Sequence, residues 1–343
     1  MKVPLPKNSY IKNIVVNDDG IDVSFAKKKK VGLLLISINE RYWPYLTQVM
    51  EDCKKNFLPH HTVEMLVWSD MPKEKCPLAT EVYPTEPIEW PAPTLMRYHL
   101  FLQQEEKLKE YDYLFYLDAD MRVVDKISDE ILGDGLTTAE HQMYSLRPQY
   151  IPPYEPNKES EAYVPRLGQI VLEGDKPRFK PLYLAGGFQG GVSEKFVKAM
   201  RIMRDRIDKD FNRNYTAIWN DESHWNKYVF ENANPVDGHP TIVLPPSYIY
   251  PDSLIKEYYE PIWGRTYQPK VVTLTKPFSL SKEGAKNINE FLGRDSSASS
   301  PTYQCSKCGG KFETPGFIVK RVVECLGADK AHQLEMDKIK WFQ

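Results

Sequence analysis

The 343-residue chain has no excess of either charge: 45 Lys and Arg stand against 47 Asp and Glu, a formal net charge of −2. It therefore lacks the positive field that would hold nucleic acid or an anionic membrane. Long hydrophobic runs are absent as well. The longest apolar stretch near the start, Val31 to Ile36, stops at Ser37, far short of the ~20 residues that span a bilayer. Met1–Pro6 carries no apolar signal-peptide core. Cysteine is scarce: there are five, three of them beyond position 300, which does not make a disulfide framework. A soluble chain in the cytoplasm is the expectation.

What is present is ordinary globular material, 41% hydrophobic and 27% charged. The 27 prolines and 21 tyrosines point to long ordered loops and stacking surfaces, hence to loop-borne function. Residues 1–30 read as a polar N-terminal extension ending in Lys27–Lys30, a solvated approach to a buried strand. Val31–Ile38 is short, continuous and apolar, the mark of a central parallel strand. Tyr45, Val49, Cys53 and Phe57 recur at helical spacing. A second strand follows at Val63–Trp68, a helix capped by Thr94 runs to about Lys109, and a third strand covers Tyr113–Leu117. This alternation predicts a mostly parallel sheet flanked by helices. Gly186–Gly191 reads as a turn, with helices at about Ser193–Asp210 and Asp221–Glu231. We see no internal repeat. The expected organisation is an extension (1–30), an α/β domain (31–284), a small, polar linker (285–300) and a Cys-containing C-terminal module (301–343).

Ligands in such sheets sit beyond the carboxyl ends of the strands, where Asp118-Ala119-Asp120 leaves the third strand. Paired carboxylates there can hold a hard divalent cation, Mg²⁺ or Mn²⁺, against a diphosphate. Alone, such a pair more often means solvated surface. Trp219-Asn220-Asp221-Glu222-Ser223-His224-Trp225-Asn226-Lys227-Tyr228 is unusually dense in ionisable and aromatic groups. Its bland reading is a capping Asn220 or Asp221 and a hydrogen-bonded core His224. Tyr183-Leu184-Ala185-Gly186-Gly187-Phe188-Gln189-Gly190-Gly191 reads either as a tight bend or as a close approach of a ligand to backbone.

Together these segments resemble glycosyltransferase family 6, the retaining α1,3-galactosyl- and N-acetylgalactosaminyltransferases. Further likenesses are Ser69-Asp70-x-Pro72, Met96-Arg97, Ser160-x-Ala162-Tyr163-x-Pro165 and Pro246-x-Tyr248, and the resemblance covers roughly Val31–Lys282. It implies a GT-A fold binding UDP-GalNAc or UDP-Gal and an oligosaccharide acceptor. Ile36, Ser37, Ile38 and Tyr42 would contact uridine and ribose. Arg97 would hold the donor side. Asp118, Ala119 and Asp120 would engage Mn²⁺ (or Mg²⁺), ribose and diphosphate. Ala185, Gly186 and Gly187 would face the donor's C2 substituent, with Gly187 favouring UDP-GalNAc. Asp221 would position the donor sugar, His141 and Trp219 would line the acceptor site, and Glu222 would carry the chemistry beside the anomeric carbon. Lys276 and Lys282 could close over the diphosphate. Two departures stand out: the first strand runs one residue longer before Tyr42, and Asn220 replaces a usual histidine. Without a stem or anchor the chain resembles a soluble microbial or viral-type member, and retention of both aspartates predicts metal dependence.

The tail is separate. Cys305-Ser306-Lys307-Cys308 has the turn of a zinc knuckle, and Cys325 with His332 would complete a candidate Zn²⁺ site. In an unbroken helix those two lie ~10 Å apart, so they converge only if the helix starts after Gly327. Two other functions compete. A zinc-module nucleic-acid-binding protein is disfavoured by a net charge of only about +2 over 301–343, from seven basic and five acidic residues. A catalytically inactive sugar-nucleotide- or glycan-binding protein would be suggested by loss of Glu222 or Asp120, and both are present.

Overall fold

A computed structural model describes residues 9–17, 20–88, 91–145, 152–165, 170–173, 176–179, 182–232, 241–252, 268–274, 303–304 and 311–312. Near the start, β1 (Ser9–Asn17) and β2 (Gly20–Lys27) pair as an antiparallel hairpin within the segment read as a polar extension. Then come β3 (Lys30–Ser37), α1 (Trp43–Asn56), β4 (Thr62–Ser69) and β5 (Glu81–Pro84). Three short helices follow, α2 (Ala92–Leu95), α3 (Arg97–Leu102) and α4 (Glu105–Leu108). Next are β6 (Tyr113–Asp118), β7 (Met121–Val123), β8 (Leu136–Glu140), α5 (Gln142–Ser145) and the pair β9 (Ile170–Glu173) and β10 (Lys176–Phe179). The chain continues through β11 (Leu184–Val192), α6 (Ser193–Asn212), α7 (Asn220–Asn232), β12 (Ile242–Leu244), β13 (Tyr250–Pro251) and β14 (Val271–Thr273).

Seven strands form the central sheet in the order β12-β8-β11-β6-β3-β4-β5. Only β11 runs against the others, so the sheet is mostly parallel, as the strand–helix alternation predicts. The apolar run of β3 is continuous because both of its faces are buried. Leu34 and Ile36 pack with Trp68, Tyr98, Phe196 and Trp225 on one side, while Val31, Leu33 and Leu35 pack with Val49, Phe115 and Phe188 on the other.

Two local expectations are corrected and a third is refined. The single helix capped by Thr94 is three short ones: Thr94 lies inside α2, and Met96 (φ −94°, ψ 7°) turns the chain between α2 and α3. The buried face of α1 includes the expected Val49 and Cys53 together with Leu46 and Met50, Phe57 just beyond the helix is buried as well, and Tyr45 is only partly so. Gly186–Gly191 is no turn but part of β11, a central strand whose glycines let its neighbours close in. A Cβ at Gly190 would meet Leu114 O at 2.4 Å. The 285–300 linker lies outside the described residues. Of the C-terminal module only the two-residue strands β15 (Tyr303–Gln304) and β16 (Lys311–Phe312) are described, and they pair antiparallel. Cys305, Cys308, Cys325 and His332 lie outside the described residues.

Candidate active site

The parallel strands β3 and β6 end at one edge of the sheet, and a cleft opens there. Ile36, Ser37, Ile38, Asn39, Arg41, Tyr42, Ile88, Pro93, Thr94, Tyr116, Asp118, Ala119 and Asp120 line it, with a volume of about 630 Å³ including its solvent-open mouth. The sequence-derived residues Ile36, Ser37, Ile38, Tyr42, Asp118, Ala119 and Asp120 are thus brought together. Ser37 Oγ is buried there without a hydrogen-bond partner, a polar atom waiting for a polar ligand. At the end of β3, Asn39 adopts φ 85° and is held by its N–H donating to Asp70 Oδ2 at 3.0 Å. Asp70 also accepts from Trp43 Nε1 at 2.9 Å, so the Ser69-Asp70 segment fixes the rim of the cleft.

Deeper in, Arg97 ties three segments together. It is 2% exposed. Nη1 donates to Gly186 O at 2.8 Å, Nε lies 3.1 Å from Asp221 Oδ2, and Nη2 lies 3.5 Å from Asp118 Oδ1. The guanidinium also stacks over the Tyr116 ring, 4.2 Å from its centroid. Burial alone would lower the Arg97 pKa, but Asp221, Tyr116 and Asp118 hold it above its ordinary value. Met96, by breaking the helix, starts α3 at Arg97 and aims it inward.

Asp221 is fully buried, with its Oδ2 facing Arg97 Nε. It does not cap α7, and Asn220 Oδ1 does not either. Asn220 instead takes φ 50°, a left-handed conformation that Asn adopts readily. Burial pushes the Asp221 carboxyl up to about 8, with Arg97 pulling down and Asp118 and Glu222 pushing further up. Glu222, next in sequence, accepts from Gly186 N at 2.7 Å. Burial raises its carboxyl to about 7, opposed by the Gly186 N–H and the Tyr183 hydroxyl. Two neighbouring carboxyls pushed up by burial beside Arg97 make this cluster a candidate functional site.

β11 meets α7 through Asn226. Its Oδ1 accepts from Leu184 N at 2.9 Å, and its Nδ2 donates to Leu184 O at 2.8 Å and to Glu222 O at 2.9 Å. Ala185 and Gly186 are thereby set against Glu222: a Cβ on Gly186 would lie 3.0 Å from Glu222 Cβ. The Cβ direction at Gly187 points at Asp118 Oδ2 (2.6 Å) and Met121 Cε (2.4 Å). The space vacated there is filled by the aspartate and not by open pocket.

His141 sits beside this cluster, in edge contact with Tyr183, which in turn packs on Tyr144 and Tyr154. Burial lowers its pKa to about 4, and its Nδ1 accepts from Met143 N at 3.2 Å, which assigns the proton to Nε2. Trp219 is half-buried and is joined to α7 through its N–H to Ser223 Oγ at 3.1 Å and its carbonyl to Glu222 N at 3.0 Å. His224 belongs to the core: it is fully buried, 3.7 Å from Asp210, and neutral, because burial and Arg206 push its pKa to about 3. Lys276 and Lys282 lie outside the described residues.

Asp118 and Asp120 offer hard oxygen donors at the sheet edge. Asp118 Oδ1 is engaged by the Tyr116 hydroxyl, while Oδ2 occupies the space that Gly187 leaves open. This donor set fits a hard divalent cation. Among the described residues no cluster of three or more His, Cys, Asp or Glu side chains could hold one by protein ligands alone. Nor is any helix among them long and apolar enough to cross a membrane.

Tyr116, Asn39, Arg41, Asn226 and Gln189 escaped the reading of the sequence. Tyr116 carried a signal, since it stands two residues before Asp118 and so on the same face of β6, and Asn226 and Gln189 stand within the Trp219–Tyr228 and Tyr183–Gly191 segments without a role assigned to them.

A mostly parallel sheet with buried Arg97 joining an Asp118/Asp120 edge to an Asp221/Glu222 helix defines an α/β protein of GT-A-like form. The chain belongs to glycosyltransferase family 6, whose family model matches residues 16–259. It is 28% identical over 234 residues to histo-blood group ABO system transferase 1 of Rattus norvegicus, covering 66% of this chain and 62% of that protein. It is 27% identical over 231 residues to human globoside alpha-1,3-N-acetylgalactosaminyltransferase 1, covering 65% and 61%. It is also 27% identical over 183 residues to the O-antigen biosynthesis glycosyltransferase WbnI of Escherichia coli, covering 52% and 74%. The matched segment thus spans less than two thirds of the rat and human relatives. The family match begins at residue 16, inside the N-terminal hairpin rather than at Val31.

Proposed function

We propose that the chain is a retaining glycosyltransferase that moves GalNAc or Gal from a UDP-sugar, in α1,3-linkage, onto a glycan acceptor with the help of a divalent cation. The observation that carries this reading is the convergence on Arg97 of Asp118, Gly186 and Asp221, with Glu222 bound to the same Gly186. The names of the rat and human relatives agree with it.

In this reading the uracil and ribose occupy the cleft between Ile36–Tyr42 and Ile88–Thr94, where Ser37 Oγ gains a partner. Asp118 and Asp120 hold Mn²⁺ or Mg²⁺, which supplies positive charge against the departing diphosphate. Arg97 draws the Asp221 carboxyl back toward ionisation against the burial that holds it at about 8, and Asp221 faces the sugar hydroxyls as their hydrogen-bond partner. Glu222 sits beside the anomeric carbon, where its carboxylate stabilises developing oxocarbenium charge or attacks it. Its bond from Gly186 N–H fixes Oε2 and with it the carboxyl plane. His141, neutral with its proton on Nε2, donates to the acceptor, and Trp219 offers it a stacking face. Lys276 and Lys282 are assigned to the diphosphate.

The test is a donor screen: UDP-GalNAc, UDP-Gal and UDP-Glc with Mn²⁺ and a panel of galactosides, following UDP release. Turnover of UDP-GalNAc or UDP-Gal above UDP-Glc supports the proposal. Absence of UDP-sugar binding and turnover contradicts it.

A further inference from the structure

The backbone at Gly186 is held by side chains, and one of them is neutral and fully buried. Between Leu184 and Gln189, five steps along β11 pass only two steps of β8, and pairing with β6 begins at Phe188. Ala185, Gly186 and Gly187 therefore lie outside both ladders, and two of the three lack the Cβ that would restrict their torsions. Sheet pairing cannot fix this stretch. Asn226 brackets Leu184 in front of it, Glu222 takes the Gly186 N–H, and two donors share the Gly186 carbonyl: Arg97 Nη1 at 2.8 Å and Gln189 Nε2 at 2.9 Å.

Gln189 is 0% exposed. Its Oε1 accepts from the hydroxyl of Tyr98 at 2.8 Å, and Tyr98, itself fully buried, adjoins Arg97 on α3. A carboxamide is suited to this post because it donates and accepts at once in a fixed plane. Arg97 and Glu222 are charged groups that a bound donor would engage, so neither can serve as a constant anchor for the backbone. Gln189 is neutral and answers only to Tyr98 and Gly186.

We infer that Gln189 is a positioning residue: its side chain locks Gly186 to the start of α3 and so sets Glu222 and Arg97 against the donor sugar. The inference rests on the UDP-sugar reading of the cleft for its consequence, and on the hydrogen bonds alone for its geometry.

The test compares the full-length wild type with the Tyr98→Phe/Gln189→Leu double variant, which removes both partners so that no buried hydroxyl is orphaned. Amide exchange is followed by NMR at Gly186 and at Leu184. Exchange at Gly186 is expected to quicken about tenfold or more while Leu184, still bracketed by Asn226, changes by less than about threefold. Equal acceleration at both amides would reduce Gln189 to general stability and overturn the inference, as would no change at Gly186. In turnover, kcat should fall about 10- to 100-fold with the donor KM within about threefold of wild type; an unchanged kcat overturns it too. Should the double variant fail to fold, Gln189→Met is read by the same criteria. If the wild type turns over no UDP-sugar, the functional reading falls while the exchange data still decide the geometry.

Discussion

At the residue scale the site is built at a cost to stability, and this can be measured. Burial holds the Glu222 carboxyl near 7, above the usual 4.5, so the folded chain binds that proton more tightly than the unfolded one. Its contribution to stability is full below about pH 4.5 and is lost as pH rises through 7, beyond which a charge sits in a site that disfavours it. Glu222→Gln keeps the acceptor for Gly186 N–H and removes the charge. It should raise Tm at pH 8 by ~2–4 °C, on the order of 1 kcal/mol, and leave Tm unchanged at pH 4. The same variant should lower kcat by orders of magnitude while UDP still binds. A Tm gain that persists at pH 4 would refute the burial argument.

Gly187 makes a second residue-scale case. The resemblance assigns its missing side chain to the donor's C2 group, but in the structure that space holds Asp118 Oδ2 and Met121 Cε. Both are the ends of flexible side chains, so Gly187→Ala should fold, with Asp118 displaced. We expect the apparent Mn²⁺ constant to rise by about tenfold, ~1.4 kcal/mol, alongside any change in the UDP-GalNAc to UDP-Gal ratio. A metal titration that matches wild type would return Gly187 to a purely steric role toward the sugar.

At the element scale, strand and helix order was legible because β3, β4 and β6 are short apolar runs divided by helical spacing. What the pattern could not show is how tertiary contacts break it. Periodicity runs straight through Met96, yet the helix ends there so that Arg97 can reach Gly186 and Asp221. Paired glycines look like a bend, yet β11 is a central strand that leaves its ladders for three residues. The junction of β11 with α7 hangs on Asn226, which mimics a backbone partner for Leu184. Asn226→Ala should cost about 1–3 kcal/mol through buried Leu184 groups left unpaired, and should reduce kcat because Glu222 loses its register with Gly186. Urea denaturation checks the first and turnover the second. Asn226→Asp, which keeps the acceptor but sets a buried carboxyl oxygen against the Leu184 and Glu222 carbonyls, should cost at least as much as alanine.

At the scale of the whole molecule, the candidate site gathers residues from positions 36 to 226, and only Asp118, Asp120, Asp221 and Glu222 advertise themselves by chemistry. Arg97, Ser37 and Ala185 were found through the resemblance. Tyr98 reaches Gln189 across 91 residues and Asn226 reaches Leu184 across 42, separations that no local pattern encodes. The same dispersion predicts coupled binding. Asp118 and Asp120 give a divalent cation too few ligands by themselves, so the diphosphate must supply more. In thermal melts, UDP with Mn²⁺ should raise Tm by more than the sum of each alone, and Asp120→Asn should abolish that excess without lowering the Tm of the free protein. A purely additive response would remove the cation from the diphosphate site.

The central claim is that Glu222, set by Gly186 beside the anomeric carbon, transfers a sugar from UDP with its α configuration kept. NMR of the glycan product formed from UDP-GalNAc or UDP-Gal decides it directly. The account predicts an α-linked product from wild type and none above background from Glu222→Gln; a β-linked product, or undiminished α product from the variant, would contradict it.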